Sequence, residues 1–296
     1  MIERDDMDKI FQIFIYGLLA GGVYGLVAVG LTLIFGVLKL VNFAHGEFLM
    51  IAMYISFWGF RLLSIDPYLG SIIVIIVMYF FGNILYRMIM NPIIYKPHVV
   101  QIFATLALSL LLQNGALILF KADFRNIRTA YSLSALNIIG IKVGIPNLIS
   151  FTIAVVASIL IFIFLKKTDL GKAMRAIAQN DRAAKLMGIN VDMVYRLTYS
   201  IALALVGLAG IALVPMYSTY PTVGVSFINP AFVSVVLGGL GSVPGAVIGG
   251  IIIGLVESLT AFYIGPEFQQ IAYFLVFLII LAIKPQGIMG KKEEII

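Results

Sequence analysis

Lys166-Lys-Thr-Asp-Leu-Gly-Lys-Ala-Met-Arg-Ala-Ile-Ala-Gln-Asn-Asp-Arg-Ala-Ala-Lys-Leu-Met-Gly-Ile-Asn-Val-Asp192 is a polar stretch in a chain made mostly of apolar runs. It carries Lys166, Lys167, Lys172, Arg175, Arg182 and Lys185, with Arg196 just beyond. Loops rich in Lys and Arg between membrane spans stay on the cytoplasmic side. This stretch therefore orients every span around it. Ala173, Ile177 and Ala184 fall near helical spacing, as do Ala176, Ala183, Leu186 and Met187, with charges between them. That spacing predicts short helices lying against another surface. A solvated basic loop and a docking segment both fit the pattern.

Composition sets the class. Of 296 residues, 61% are hydrophobic and 11% charged, and the mean hydropathy is +1.08. A soluble domain is about half apolar and a quarter charged. The chain is expected to be an all-α polytopic membrane protein, one domain over 1–296, in the cell (inner) membrane. The net charge of +6 belongs to loops beside apolar runs, which argues for orientation in lipid and against nucleic acid. There is no cysteine, so disulfides, thiolate metal sites and thiol catalysis are excluded. Four acids near the start (Glu3, Asp5, Asp6, Asp8) do not suit the basic head of a signal peptide, and the first apolar run is expected to remain as a span.

Apolar runs cover 13–33, 47–60, 69–89, 99–120, 148–165, 194–216, 230–262 and 268–283. A crossing needs roughly 17–25 residues. The run 230–262 is too long for one span and is expected to split at Gly238-Gly239-Leu-Gly241-Ser-Val-Pro244-Gly245. Eight or nine crossings follow, some of them broken or re-entrant. Lys284, Lys291 and Lys292 place the tail on the same side as the basic loop, which the split makes possible. Five full crossings before that loop put the N-terminus outside; one re-entrant segment would put it inside.

Candidate site residues are the polar groups stranded in apolar sequence. Asn42, His45 and Glu47 lie between the first two runs, beside Gly46. A helix broken there exposes backbone donors and acceptors, as half-helices do at transporter midplanes; an interfacial turn capped by Asn42 fits as well. Gly238, Gly239 and Gly241 mark a second break. Glu257 is a carboxylate deep in an apolar run, where it costs roughly 2.5–3.5 kcal/mol on insertion scales. It must face protein, water or a partner, so it is either a pathway residue or a buried hydrogen-bonding group. Gly17, Gly21 and Gly25 form a small-residue ridge for close helix packing, and that span offers no ligand group. Gln101, Gln113 and Asn114 are expected to bond between helices, and Tyr54 and Trp58 to anchor at the interface. The loop 121–147 carries Lys121, Arg125, Arg128 and Lys142 and reads as a surface loop, with docking to an acidic partner as the other option.

Three blocks carry a family resemblance. Asn42-Phe-Ala-His-Gly-Glu-Phe48, Lys172-Ala-Met-Arg-Ala-Ile-Ala-Gln-Asn-Asp-Arg-Ala-Ala-Lys-Leu-Met-Gly-Ile-Asn190 and Leu237-Gly-Gly-Leu-Gly-Ser-Val-Pro-Gly-Ala-Val-Ile-Gly-Gly250 resemble, in order, blocks of branched-chain amino acid ABC-transporter permeases of the LivH type. Within the second block, Arg182-Ala183-Ala184-Lys-Leu-Met-Gly188 resembles the EAA-x-x-x-G coupling loop of such permeases, with Arg182 in place of the usual Glu. The resemblance implies an ATPase-coupling set of Arg175, Arg182, Ala183, Ala184 and Gly188 within a cytoplasmic loop at about 166–192. From its motif blocks it implies a pathway set of Asn42, His45, Glu47, Gly238, Gly239 and Gly241, to which the residue reading above adds Glu257. It also implies partners: two ATP-binding subunits, a homologous second permease and an extracytoplasmic substrate-binding protein, in contact with membrane lipid. Substrates would be branched-chain, aliphatic amino acids, imported; urea and short-chain amide permeases are close relatives and stay open.

The chain has no G-x-x-x-x-G-K-[ST] segment, so it cannot itself cradle ATP phosphates. No cofactor or metal is expected in it, and ATP would be bound by partners. A stand-alone secondary transporter would need ion-coupling groups, for which Glu47 and Glu257 are a thin supply. An enzyme is not expected: neither H-E-x-x-H nor G-x-S-x-G occurs, and neither histidine has an evident catalytic partner.

Overall fold

The computed structural model describes residues 2–138 and 141–290, without the side chains of residues 2–8, 138 and 141. Lys291 and Lys292 of the basic tail lie outside these residues. In chain order, α1 (Ile2–Leu33) runs into a wide turn at Ile34–Leu38, followed by α2 (His45–Leu63). Next, α3 (Ser71–Leu85) continues through Tyr86–Met90 into α4 (Asn91–Ile93), and α5 (His98–Phe120) follows. A small hairpin, β1 (Ala135–Ile138) with β2 (Ile141–Gly144), pairs Leu136 with Val143. After it come α6 (Ile145–Lys167), α7 (Asp169–Gln179), α8 (Asp181–Leu186) and α9 (Val191–Leu213). Then α10 (Val223–Gly238), α11 (Val243–Tyr263), a turn at Pro266–Phe268 and α12 (Gln269–Ile283) close the chain.

Among the described residues, eight helices are long and apolar enough to cross a membrane. The ninth apolar helix, α10, has 16 residues. At 1.5 Å per residue it is about 24 Å long, short of the ~30 Å hydrocarbon core. The run 230–262 does split, into α10 and α11. The outward faces of α3, α5, α6 and α12 are bare hydrocarbon, with Ile76, Leu111, Leu160 and Leu278 exposed, as lipid requires.

The packing resolves the orientation that composition leaves open. The ridge of α1 meets the glycines of α11. A methyl group on Gly17, Gly21 or Gly25 would lie 2.9, 2.6 or 3.2 Å from the Cα of Leu255, Ile251 or Val247. As the α1 number rises, the α11 number falls, so the helices are antiparallel with backbones nearly touching. Small residues make that approach possible where dispersion, not water exclusion, holds helices together. Beyond the end of α1, Gly36 reaches Gly241, and the segment Ile34–Leu38 packs against α7. The end of α1, the α10–α11 joint and the basic segment thus share one face. The other end of α1 is on the opposite face, outside by the positive-inside rule.

Capping residues set the helices of the basic segment. Thr168 Oγ1 accepts from Gly171 N at 3.0 Å, Asn180 Oδ1 from Ala183 N at 2.9 Å, and Asn190 Oδ1 from Met193 N at 3.0 Å. Each cap satisfies one orphan N–H of a helix start, so two short helices and a long one follow in quick succession. Tyr54 and Trp58 differ from expectation. Tyr54 is buried and stacks on Phe120 with centroids 4.2 Å apart. The Arg125 guanidinium lies over the Trp58 ring at 5.3 Å and donates to Phe120 O at 2.8 Å. A loop cation folds back over these rings and removes them from the interface.

Candidate functional site

A cavity of about 610 Å³ opens in the outer half of the fold. Its walls are the first half of α1, the starts of α6 and α12, the ends of α9 and α11, and the segment leading into α10. Lys9, Gln12, Asn147 and Gln269 stand at its outer end; Val23, Tyr24 and Phe227 form its floor. Glu257 is the acidic residue of the lining. Side chains on a helix lean toward their own N-terminus. Because α1 and α11 are antiparallel, Tyr24 leans outward and Glu257 leans inward, so both side chains line the same cavity. Nearby, Gln269 Nε2 donates to the Glu257 carbonyl at 3.3 Å and Ser258 Oγ to Ile13 O at 2.8 Å. In the segment leading into α10, burial raises the Tyr217 hydroxyl above its ordinary range, and the facing Glu257 carboxylate adds to this.

The remaining pathway candidates lie elsewhere. Asn42 Oδ1 accepts from Ala44 N at 3.1 Å, and its amide donates to the Tyr199 hydroxyl at 3.3 Å. The His45 ring bonds Val27 O through Nε2 at 3.3 Å. Both residues are wholly buried and tie the start of α2 to α1 and α9. Glu47 faces α5, where Ser109 Oγ and Gln113 Nε2 donate to one carboxylate oxygen at 3.1 and 2.7 Å. Gly238, Gly239 and Gly241 form the α10–α11 joint: Ile288 N and Met289 N donate to the carbonyls of Leu237 and Gly238 at 2.8 and 2.9 Å. None of these residues lines the outer cavity. Of the expected interhelical amides, Gln113 bridges helices. Gln101 does so too, reaching from α5 to the carbonyls that end the preceding helix, Ile93 at 3.4 Å and Ile94 at 2.9 Å, whereas Asn114 bonds Leu110 O one turn back in its own helix.

The cavity residues missed from sequence are Tyr16, Tyr24, Tyr217 and Phe227. A signal was present for two of them. Tyr16, Ala20, Val23 and Tyr24 recur at one-turn spacing, which gives α1 a second face beside its glycine ridge. Tyr217 lies in the segment between α9 and α10, which has no period, and Phe227 is one apolar residue among many on α10.

The inner face presents the basic segment. On α7, Gly171, Met174 and Ile177 are buried, and α7 packs against α6, α9 and the Ile34–Leu38 turn. A Cβ on Gly171 would lie 2.5 Å from the carbonyl oxygens of Phe164 and Leu165, so α7 is seated hard on α6. On α8, Ala184 is buried, while Arg182, Ala183 and Lys185 are more open. Leu186 and Met187 are 88% and 83% exposed. Gly188 ends the turn at φ +85° with nothing near its Cβ position, a conformation L-residues avoid. Arg175 is exposed on the neighbouring helix. The coupling candidates therefore form one protruding surface with a bare apolar tip.

The comparisons agree with this architecture. A family model described as "Branched-chain amino acid transport system / permease component" matches residues 13–283. The high-affinity branched-chain amino acid transport system permease protein LivH of Salmonella typhimurium is 31% identical over 292 residues, 94% of each chain. BraD of Pseudomonas aeruginosa, a permease protein of the same description, is 29% identical over 300 residues, 95% of this chain and 96% of its own. Among solved structures, PsaBC from Streptococcus pneumoniae in complex with Fab superposes with a TM-score of 0.50 at 17% identity, covering 97% of each chain; at that identity it shows the fold alone. With a family match over almost the whole chain and eight membrane-crossing helices, this multi-pass membrane protein belongs to the branched-chain amino acid transport system permease family.

Proposed function

We propose that the chain is the membrane-spanning permease of a binding-protein-dependent ABC importer for branched-chain aliphatic amino acids, driven by separate ATPase subunits. The observation that carries this reading is the α7–α8 surface. It is basic, tipped by Leu186 and Met187, and held rigidly by the buried face of α7. Two adjacent apolar side chains left almost fully open at the tip of a basic surface suit contact with a partner.

Force applied there has a route into the fold. A push on α8 moves α7, which rests on Ile34–Leu38; this segment continues α1, and α1 is locked to α11 by its glycines. Both helices wall the outer cavity. Rigid-body movement of the seam would reshape that cavity, as alternating access requires. The family further points to two ATPases, a homologous second permease and an external binding protein that delivers substrate. The pathway role of Glu257 belongs to this proposal.

The test is Leu186→Asp with Met187→Asp, made in the full transporter. Both side chains are exposed, so the permease should still insert and purify as a folded chain. The expected result is loss of the co-purifying ATPase and of leucine uptake into proteoliposomes. Retention of both would remove the docking role. Uptake of urea in place of leucine by the unaltered complex would remove the substrate class and keep the importer.

A further inference from the structure

We infer that the outer cavity is a substrate subsite in which Glu257 receives the primary ammonium group of an aliphatic amino acid. The inference rests on the import reading above and adds to it a named site and a named chemistry. The cavity lies within this one chain, and its volume of about 610 Å³ falls in the range of small-molecule sites, roughly 300–1,000 Å³. Its lining is mostly apolar, with Leu19, Val23, Leu213 and Met216 placed to receive a branched aliphatic side chain.

The polar groups discriminate. Glu257 sits within the span, where a carboxylate is expensive unless a cation or a set of donors joins it. The Tyr24 side chain lines the same cavity, and the carboxylate can accept several donors. Around it stand aromatic rings. Tyr217 meets Phe227 edge-on with centroids 5.1 Å apart, and Tyr24 lies 6.4 Å from the same Phe227 ring. Ring faces attract an ammonium group. A carboxylate and several rings in an otherwise mostly apolar lining select a cationic head with a hydrocarbon tail. Glu47 makes the contrast: two donors from α5 already hold it, away from the cavity.

The chain has no cysteine, so a single introduced thiol reports on the cavity. Ala261 lines it one helical turn beyond Glu257, and Ala261→Cys is a small change. The complete transporter is held in nanodiscs of phosphatidylcholine and phosphatidylglycerol, which exclude lipid primary amines as the ligand. Labelling of the introduced thiol by a membrane-impermeant maleimide is timed with leucine, with 3-methylbutylamine (leucine without its carboxylate) or with 4-methylpentanoate (leucine without its amine). Leucine and the amine should slow labelling by about tenfold, the change expected for filling most sites, and the acid should not. Adding Glu257→Gln should abolish the protection, and Glu257→Asp should keep part of it. A second reporter on another wall, Met216→Cys, preserves the test should Ala261→Cys misfold. Equal protection by amine and acid, or protection that survives Glu257→Gln, would overturn the ammonium site. Leucine uptake without any protection would overturn the subsite and leave the import reading standing; failure to take up any amino acid would remove the reading itself.

Discussion

The chain breaks its helices at 39–44, before α2, and at 239–242, between α10 and α11, and it heals the two breaks by opposite means. The first uses side chains: Asn42 and His45 bond Ala44 N, the Tyr199 hydroxyl and the Val27 carbonyl. The second relies mainly on backbone: the tail after α12 donates Ile288 N and Met289 N to the carbonyls of Leu237 and Gly238, with Ser242 Oγ accepting from Gly245 N as the one side-chain cap. The physical demand is the same in both places. Backbone groups freed by a break have no water to bond in an apolar medium. Polar side chains meet that demand across several ångströms and tolerate bulk around them. Backbone meets it only where side chains are missing, hence glycine at 238, 239 and 241. The difference teaches that a polar motif and a glycine motif can be two answers to one backbone deficit.

The comparison breaks most severely at the glycine joint. A Cβ on Gly238 would overlap the Gly245 carbonyl and lie 2.7 Å from Ala246 N. Backbone cannot give way as a side chain can. Gly238→Leu is expected to cost more than about 3 kcal/mol, and size-exclusion profiles of the solubilised complex should show no monodisperse peak. A well-behaved variant would mean that the joint is not packed on backbone.

The side-chain joint should yield less. Asn42→Ala removes an acceptor and a donor in a wholly buried place and should cost about 1–3 kcal/mol, read as a fall in melting temperature of the purified complex. Asn42→Asp keeps the acceptor for Ala44 N but buries a carboxylate, so it should cost at least as much as Asn42→Ala. If Asn42→Ala melts like the parent, the first break does not depend on its side chain.

A smaller effect isolates the backbone donors. Ile288→Pro deletes one N–H, the partner of the Leu237 carbonyl, at the cost of about 1 kcal/mol. A loss as large as that of Gly238→Leu would show that the tail, not the glycine approach, holds the joint.

The smallest expected effect lies away from both breaks and serves as a reference. Tyr68, in the outer loop before α3, donates its hydroxyl to Pro146 O at 3.4 Å. Burial pushes this hydroxyl up to about 12, from about 10 in an exposed tyrosine. Raised in the fold, it contributes stability that is present below about pH 10 and lost as pH climbs toward 12. Tyr68→Phe should flatten that portion of the stability profile and leave the neutral range little changed. An unaltered alkaline profile would remove this contribution.

Much of the fold is legible in residue order. The split of 230–262 follows from length, since no single span needs that many residues. The short helices α7 and α8 follow from their spacing and from the caps Thr168 and Asn180. The antiparallel glycine seam was half legible: the ridge on α1 is a pattern of one helix, but its mate is known only once α11 is beside it. Tyr54 and Trp58 show the limit from the other side. Amphipathic rings near a span end suggest an interface, and only the return of Arg125 over them shows that they are covered.

Composition and local pattern by themselves determined that the chain lives in lipid, which face carries the basic segment, where helices start and where they break. These are properties of how each segment partitions and caps itself, and no neighbour is needed to decide them. Tertiary structure alone decided what the stranded polar groups do. Glu47 and Glu257 look alike in sequence, each a lone carboxylate in an apolar run. Helix α5 brings Ser109 and Gln113 to one oxygen of Glu47, and the other oxygen is buried without a partner among the described residues. The space left between α1, α6, α9 and α11 on the outer side leaves Glu257 lining a cavity. A buried charge takes its role from whatever is packed against it, and that depends on which helices become neighbours.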